Sequence, residues 1–438
     1  MHSTRTHLYS LRPGFTLGLG VLSFVLFLIL LVTGVLLMVY YVPSVEHAYG
    51  SVKDISEVVA GGRYIRNMHR WAAHGMVVVV LLHLLRVLYT SAYTRTRRVN
   101  WLVGITLLCM TILFSFSGYL LPWDQLAFWA VTIGSNIFAS TREVTDLIAI
   151  TPFFDPGGFA RRLLLGGDSV GQDALIRFYL LHTVILPIST IVLVGVHFWR
   201  IRKSDGLAIP SGADDLVLRA QGITEPLAIE QAKLRREHTV LSWPTTLWAE
   251  GAILLAALAV LMFFAILVDA PLLAPADISM PENPAKSPWY FLGVQELVSY
   301  SAFTGGILVP FLLLLSALAV PFVDTEEKGT GVWFGGQQGK RVVALSAVVG
   351  SILAIGIIAI AISIGWQWTR NAPAVTALIV NPGSILAASY GLWSWIVFRS
   401  TSSTKMSVFA LASSCLMGGI IITILGIWLR GPNWEFVW

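Results

Sequence analysis

The chain has 438 residues, 56% of them hydrophobic and only 12% charged, with a mean hydropathy of +0.75. That balance excludes a soluble globular domain and describes a polytopic, all-α membrane protein. The formal charge of +5 reflects loop bias and gives no reason to invoke nucleic acid. Two cysteines, Cys109 and Cys415, lie within apolar runs and no C-x-x-C-H is present, which excludes an iron–sulfur cluster or an attached c-type haem here.

About 20 apolar residues cross the hydrocarbon core. Nine stretches qualify, near 15–41, 66–90, 101–121, 174–200, 245–269, 303–323, 342–366, 376–398 and 406–429. The first is too long for a signal-peptide core and lacks a clear cleavage site, so it reads as a retained span. With the N-terminus (Arg5, Arg12) cytoplasmic, Arg95, Arg97 and Arg98, then Arg200, Arg202 and Lys203, then Lys340 and Arg341, then Arg399 and Lys405 share that side. Arg142, Arg161 and Arg162 break the pattern in a long connection, where the rule is weak.

The spans and polar stretches divide the chain into a four-helix bundle over 1–209, a cytoplasmic connector over 210–242, a second membrane module over 243–330 and additional transmembrane helices over 331–438. The connection from Pro122 to Asp173 is too long for a structureless loop and is expected to hold short helices. A second external segment, Asp269 to Tyr300, is rich in proline.

Four histidines carry the functional argument. His69 and His83 are 14 residues apart in one span, and His182 and His197 are 15 apart in another. On an α-helix, 14 residues rise about 21 Å and fall about 40° short of four turns, while 15 end about 60° past. Each pair therefore lies on roughly one face near opposite ends of its span. If the two helices run parallel side by side, His69 faces His182 and His83 faces His197, and each facing pair can clamp a haem iron through two imidazoles. Two stacked haems would form an electron path across the bilayer. The competing role for a lone intramembrane histidine is a hydrogen-bonded interior residue or proton relay; the joint spacing favours ligation. His74 lies about 140° around the helix from His69 and is not expected to be a ligand.

Gly20 and Gly34, and Gly104 and Gly118, repeat the 14-residue spacing in the first and third spans. They suggest room for two flat macrocycles, although packing glycines are common in membranes. Arg66, Arg86 and Arg177 lie three to five residues from ligand candidates and suit haem propionates, whose buried charge needs a partner. For Arg86 the competing reading is snorkelling to the interface.

These residues resemble cytochrome b of the quinol-oxidising cytochrome bc and b-f complexes. The likeness runs from about Gly14 to Phe322 through Tyr-Tyr-Val-Pro at 40–43, Arg-Asn-Met-His-Arg-Trp at 66–71 and Gly-Tyr-Leu-Leu-Pro-Trp-Asp-Gln at 118–125. It continues through Arg-Phe-Tyr-Leu-Leu-His at 177–182 and His-Phe-Trp-Arg-Ile-Arg-Lys at 197–203. The 15-residue spacing and Trp123-Asp124-Gln125 look closer to the plastid and cyanobacterial branch, whose protein is split in two where this one is fused. The resemblance implies two haem b groups, with His69 and His182 on the outer side and His83 and His197 nearer the cytoplasm. It places quinol oxidation near Pro122, Trp123, Phe128, Trp289 and Tyr290, with Asp124 beside them, and quinone reduction near Arg202 and Lys203. Phe128 taken alone also suits an interfacial aromatic belt.

Three departures stand out. The family usually reads Pro-Glu-Trp-Tyr at the oxidation site, but Ser287-Pro288-Trp289-Tyr290 puts proline where the proton-accepting glutamate belongs. Glu296 is the candidate substitute, or else a helix N-terminal acid favoured by the dipole. Gly18 stands where the plastid branch tethers an extra haem through cysteine, so no covalent third haem is expected. Beyond Lys340 three further spans follow, ending outside with Trp428, Trp434 and Trp438 near an interface.

The resulting expectation is the diheme subunit of a quinol:cytochrome c oxidoreductase in a prokaryotic plasma membrane. Its partners by resemblance are a Rieske iron-sulfur protein, a c-type cytochrome, the quinone pool, membrane lipid and a second copy of the chain. The alternatives are a non-bifurcating membrane anchor relaying electrons between a quinone pool and a peripheral oxidoreductase, and a histidine-relay transporter without haem.

Overall fold

The computed structural model describes residues 9–11, 16–204, 239–326, 328–364 and 374–437. Most of the expected connector, together with Arg5, Arg12 and Trp438, lies outside the described residues. Eight described helices are long and apolar enough to cross a membrane. They are α1 (Leu19–Met38), α3 (Gly62–Tyr89), α4 (Arg98–Tyr119), α8 (Gln172–Lys203), α9 (Leu247–Leu267), α11 (Thr304–Val323), α12 (Gln337–Ile364) and α15 (Thr404–Trp428). Their outward faces expose large apolar side chains such as Leu255, Phe263, Leu315 and Ile352, which suits lipid and not water.

The expected span over 376–398 is two helices instead, α13 (Ala374–Ile379) and α14 (Pro382–Thr401). Pro382 cannot continue the first helix. The Asn381 side chain caps the second by accepting from Ser384 N at 3.0 Å, while its amide donates to Thr304 Oγ1 at 3.0 Å. At 20 residues α14 has spanning length, but its serines, Tyr390 and Arg399 keep it out of the apolar set.

The first four spanning helices form the bundle. α1 packs along α3, α4 packs along α8, and α3 meets α4. Phe24 of α1 touches Phe198 of α8 edge-on at 5.4 Å, closing the ring. α9 lies on α3 and α1, and α11 on α4. The late helices form their own group, with α12, α14 and α15 mutually packed.

Short helices fill the long connection as expected: α5 (Gln125–Ala139), α6 (Arg142–Leu147) and α7 (Pro156–Leu165). Two others flank the bundle, α2 (Ala48–Glu57) and α10 (Trp289–Val298). A two-stranded antiparallel pair, β1 (Tyr9–Leu11) with β2 (Thr239–Leu241), was not legible from periodicity because each strand is only three residues long.

The end of the bundle where α3 starts is stitched by polar side chains. Arg63 donates to both Asp269 oxygens, Asn67 donates to Asp269 Oδ1 at 2.9 Å and accepts from Ala270 N at 2.8 Å, and Trp71 Nε1 reaches Val268 O at 2.8 Å. These bonds fix the exit of α9, so the proline-rich segment that follows begins from a set point. The Arg63 hydrogen bonds, then Asn67, hold the Asp269 carboxyl down to about 2.

Candidate functional site

The four histidines face each other in two tiers between α3 and α8. His69 and His182 have ring centroids 6.4 Å apart at an interplanar angle of 68°. A metal–imidazole bond of about 2.0 Å, continued from nitrogen to ring centre on both sides of one iron, requires a separation of roughly 6 Å, so the pair is spaced for one iron between two imidazoles. His83 and His197 line one cavity of about 100 Å³ with Arg86, Arg97, Asn100 and Gly104. Among the described residues no three His, Cys, Asp or Glu side chains gather as a metal site. Two imidazoles alone leave the equatorial positions to a macrocycle, which is the donor set of a bis-histidine haem.

Every predicted glycine stands against one histidine. A Cβ on Gly34 would lie 3.3 Å from His69 Cε1, on Gly20 3.2 Å from His83 Cε1, on Gly104 3.8 Å from His197 Cε1 and on Gly118 2.5 Å from His182 Cε1. A side chain at Gly118 would push His182 off its position, one at Gly20 or Gly34 would press on its histidine, and at Gly104 the contact is an ordinary one. The residues present therefore fit two haems by both donor chemistry and clearance.

The unequal spacings are reconciled by local backbone. His182 sits in a π-helical turn, Leu181–Ile185, ahead of Pro187, which has no N–H to donate and crowds the preceding turn. A π turn absorbs one extra residue without carrying it around the helix. Fifteen residues on α8 thus end on the face that 14 reach on α3.

Two ligand-orienting residues escaped the sequence reading. Thr33 Oγ1 lies 2.8 Å from His69 Nδ1 and Ser117 Oγ lies 3.1 Å from His182 Nδ1. Each holds the ring by its Nδ1 and leaves Nε2 free of that bond, as outer-shell partners of metal-bound histidine do. The available signal was a hydroxyl residue directly before each of Gly34 and Gly118. Leu19 and Val103 hold those places before Gly20 and Gly104.

The predicted arginines divide. Arg86 is buried in the His83/His197 cavity. Arg66 instead grips loop carbonyls, Ala270 O at 2.9 Å and Pro271 O at 2.6 Å, and Arg177 donates to Leu163 O. Arg202 and Lys203 are exposed and do not line the cavity; Ser204 and Ile201 do.

The aromatic candidates fall into two places. Trp123 and Phe128, 5.9 Å apart edge-on, line an open pocket of about 530 Å³ with Gln172, Ala276 and Ile278. Trp123 adopts φ 51°, a conformation that a bulky L-residue takes only when held there. The holding bonds are Ala276 N to Trp123 O at 3.2 Å and Gln125 N to Ala274 O at 2.8 Å. Trp289 and Tyr290 lie instead against α3, where Trp289 Nε1 donates to His74 Nδ1 at 2.9 Å and the Tyr290 ring is 5.8 Å from that of His74.

Two candidate acids have structural partners. Asp124 caps α5, accepting from Ala127 N at 2.9 Å through Oδ1 and from Leu273 N at 3.0 Å through Oδ2. Both oxygens are thereby committed to backbone. Glu296 is the eighth of ten residues in α10, so the helix-start reading fails. It is fully buried and clamped by Arg430, whose Nε lies 2.9 Å from Oε2 and Nη2 2.5 Å from Oε1, with Tyr300 OH at 2.9 Å and Trp434 Nε1 at 3.0 Å. The Trp434 indole N–H is thus engaged by Glu296, and Glu296 has no free oxygen to offer a substrate. At Gly18, φ is +61° and a Cβ would stand 2.4 Å from Ile253 Cδ1.

The family model Cytochrome b/b6/petB matches residues 10–205. The chain is 41% identical over 185 residues to cytochrome b6 of Prochlorococcus marinus (strain AS9601) and 42% over 185 residues to that of Synechococcus sp. (strain RCC307). Each match covers 42% of this chain and 79% of the relative. A solved structure titled "Hyperthermophilic respiratory Complex III" superposes with a TM-score of 0.63 at 25% identity, over 87% of this chain and 91% of that one. The chain belongs to the cytochrome b family of b-haem-binding, multi-pass membrane proteins, with the family's N-terminal and C-terminal halves fused in one polypeptide.

Proposed function

We propose that this chain is the diheme cytochrome b subunit of a quinol:cytochrome c oxidoreductase in a prokaryotic plasma membrane, one that divides the two electrons of quinol between two paths. The observation that carries the reading is the pair of facing histidine tiers: His69 with His182 at 6.4 Å, and His83 with His197 in one cavity. The tiers stand about 21 Å apart along α3. A b-type haem in each tier supplies one-electron iron chemistry.

The chain's own residues do the rest. His69, His182, His83 and His197 hold the irons, the four glycines keep the rings unobstructed, and Thr33 and Ser117 fix two imidazoles by Nδ1. Arg86 supplies buried positive charge beside the second tier. Basic residues gather at that same end: Arg97 and Arg98 open α4, Arg200 to Lys203 close α8, and Lys340 and Arg341 open α12. This supports a cytoplasmic placement for the His83/His197 tier and an outer placement for His69/His182. Trp289, Tyr290, Trp123 and Phe128 lie toward the outer end and bind or orient quinol. An electron crossing the whole membrane works against about 2.3 kcal/mol per 100 mV of membrane potential, and the move between tiers takes a share of that, so that path conserves energy. The other electron leaves to a Rieske iron–sulfur partner and a c-type cytochrome, partners consistent with the respiratory complex that the chain resembles in fold.

The test is oxidant-induced reduction in membranes holding the whole complex. Quinol is added with the inner quinone site inhibited, a pulse of oxidant follows, and the b-haem α-band is recorded. A transient rise in reduced haem that disappears with Tyr290→Ala supports the reading. No rise, in membranes whose haem dithionite reduces, overturns it in favour of a relay anchor.

A further inference from the structure

We propose that His74 is a catalytic base of the quinol-oxidation site, taking a proton from one quinol hydroxyl; this rests on the quinol-oxidising reading above. His74 lies on the face of α3 turned away from the ligand seam, about 140° from His69. It joins the bundle to the segment that brings Trp289 and Tyr290. Its Nδ1 is 2.9 Å from Trp289 Nε1, its Nε2 is 3.1 Å from Arg70 Nε, and its ring meets Tyr290 at 5.8 Å and Trp71 at 5.5 Å.

The hydrogen-bond chemistry of this cluster is unbalanced in a way that suits a substrate. An indole N–H and a guanidinium N–H only donate, and a neutral imidazole has one accepting nitrogen. Two donors therefore compete for one lone pair, and one of them faces an N–H. In the tautomer protonated on Nδ1, a quinol hydroxyl in the place of Arg70 donates to the Nε2 lone pair, and the Trp289 N–H then gives up its acceptor.

The acceptors that the sequence offered at this site are committed, which leaves Glu282, a carboxylate near Tyr119, as the other acid of the site. Pro288 has no side-chain acceptor, both Asp124 oxygens take backbone N–H groups, and Glu296 is enclosed by Arg430, Tyr300 and Trp434. The groups facing His74 are Arg70 from its own helix and Trp289 and Tyr290 from α10. Behind them Tyr119 of α4 lies under Arg70, whose guanidinium is 5.8 Å from its ring, and Asp124 and Glu282 act on Tyr119 from the loops.

The step balances as follows. A quinol O–H bond breaks and an N–H bond forms on His74, while the ring's two electrons leave singly to an oxidised haem iron and to the iron–sulfur partner. The second hydroxyl proton leaves with the electron taken by that partner. The product is quinone and an imidazolium beside the fixed charge of Arg70, a repulsion that returns the proton to water once quinone departs.

The experiment compares wild type, His74→Gln and His74→Ala in membranes containing the whole complex. It records the dithionite-reduced b-haem spectrum and then the rate of quinol-driven haem reduction from pH 4 to 9. The expected result for His74→Gln is an unchanged haem spectrum, a rate lower by about 10²-fold, the lower end of the range for a general base, and loss of the rising limb of the pH profile. A wild-type rate and pH profile in His74→Gln with haem intact overturns His74 as the base while leaving the quinol reading in place. A slower His74→Gln with the wild-type rising limb also overturns it and makes His74 a packing residue. Absence of quinol-driven reduction in wild type overturns both.

Discussion

Gly118 stands so close to His182 that a Cβ on it would lie 2.5 Å from the imidazole Cε1 and 3.1 Å from Nε2. The corresponding distance at Gly104 and His197 is 3.8 Å, ordinary van der Waals contact. Gly118→Ala is expected to displace His182 and cost roughly 1–3 kcal/mol of overpacking, seen as loss of one of two haems per chain. Gly104→Ala is expected to keep both. Haem content of the two purified variants, with redox titration to identify the tier lost, checks this; equal haem content in both contradicts it.

Thr33 Oγ1 donates to Ile29 O at 2.7 Å, which leaves its lone pair to accept from His69 Nδ1–H at 2.8 Å. This bond increases the electron donation of His69 to a bound iron. Thr33→Val removes a bond worth about 0.5–1.5 kcal/mol and is expected to raise the midpoint potential of one haem by roughly 20–60 mV. Potentiometric titration would show one component moving and the other still.

The Glu296–Arg430 pair is buried on both sides and joins α10 to the end of α15. Arg430→Ala leaves an uncompensated buried carboxylate and is expected to destabilise the C-terminal half by about 3–5 kcal/mol, visible as a lower unfolding temperature in detergent. A Glu296→Leu, Arg430→Met double variant is expected to recover much of that loss. Glu296→Gln is expected to keep quinol oxidation, because the carboxyl has no part in it; abolished turnover with normal haem content would restore Glu296 as the proton acceptor.

Asp269 ties the start of α3 to the exit of α9 with its carboxyl held at about 2, below the usual carboxylate value near 3.9. A group with a depressed folded value contributes stability above its unfolded value and loses it as pH falls through the folded one. The tie is therefore constant above about pH 4 and is lost between pH 4 and 2. Asp269→Asn is expected to lower the unfolding temperature at pH 7 and to narrow its gap from wild type as the pH drops below 4; a gap independent of pH contradicts this.

The histidine pairs and the glycines were visible in the sequence because helical spacing fixes both height and face, and in the structure each of the four glycines stands against one histidine. The 15-residue spacing was legible only as a 60° mismatch, since a π turn leaves no periodic signature beyond Pro187. The aromatic site was less readable. Which way Glu296 and Asp124 point depends on contacts with residues 134 and 149 positions away, Arg430 and Leu273, and no local pattern carries them. His74 was set aside because helical geometry excludes it from the haem seam. The same geometry turns it toward Trp289, a contact 215 residues distant in sequence. The 376–398 stretch read as one span because Asn381-Pro382 is a two-residue interruption in an apolar run.

The most direct test of the central claim is haem per chain in the purified protein, measured by pyridine haemochrome against protein mass, with a redox titration of the α-band. Two b haems per chain, resolved as two components, one lost in His69→Ala and the other in His83→Ala, is the expected result. One haem or none, or both components lost equally in either variant, would contradict the two-tier account.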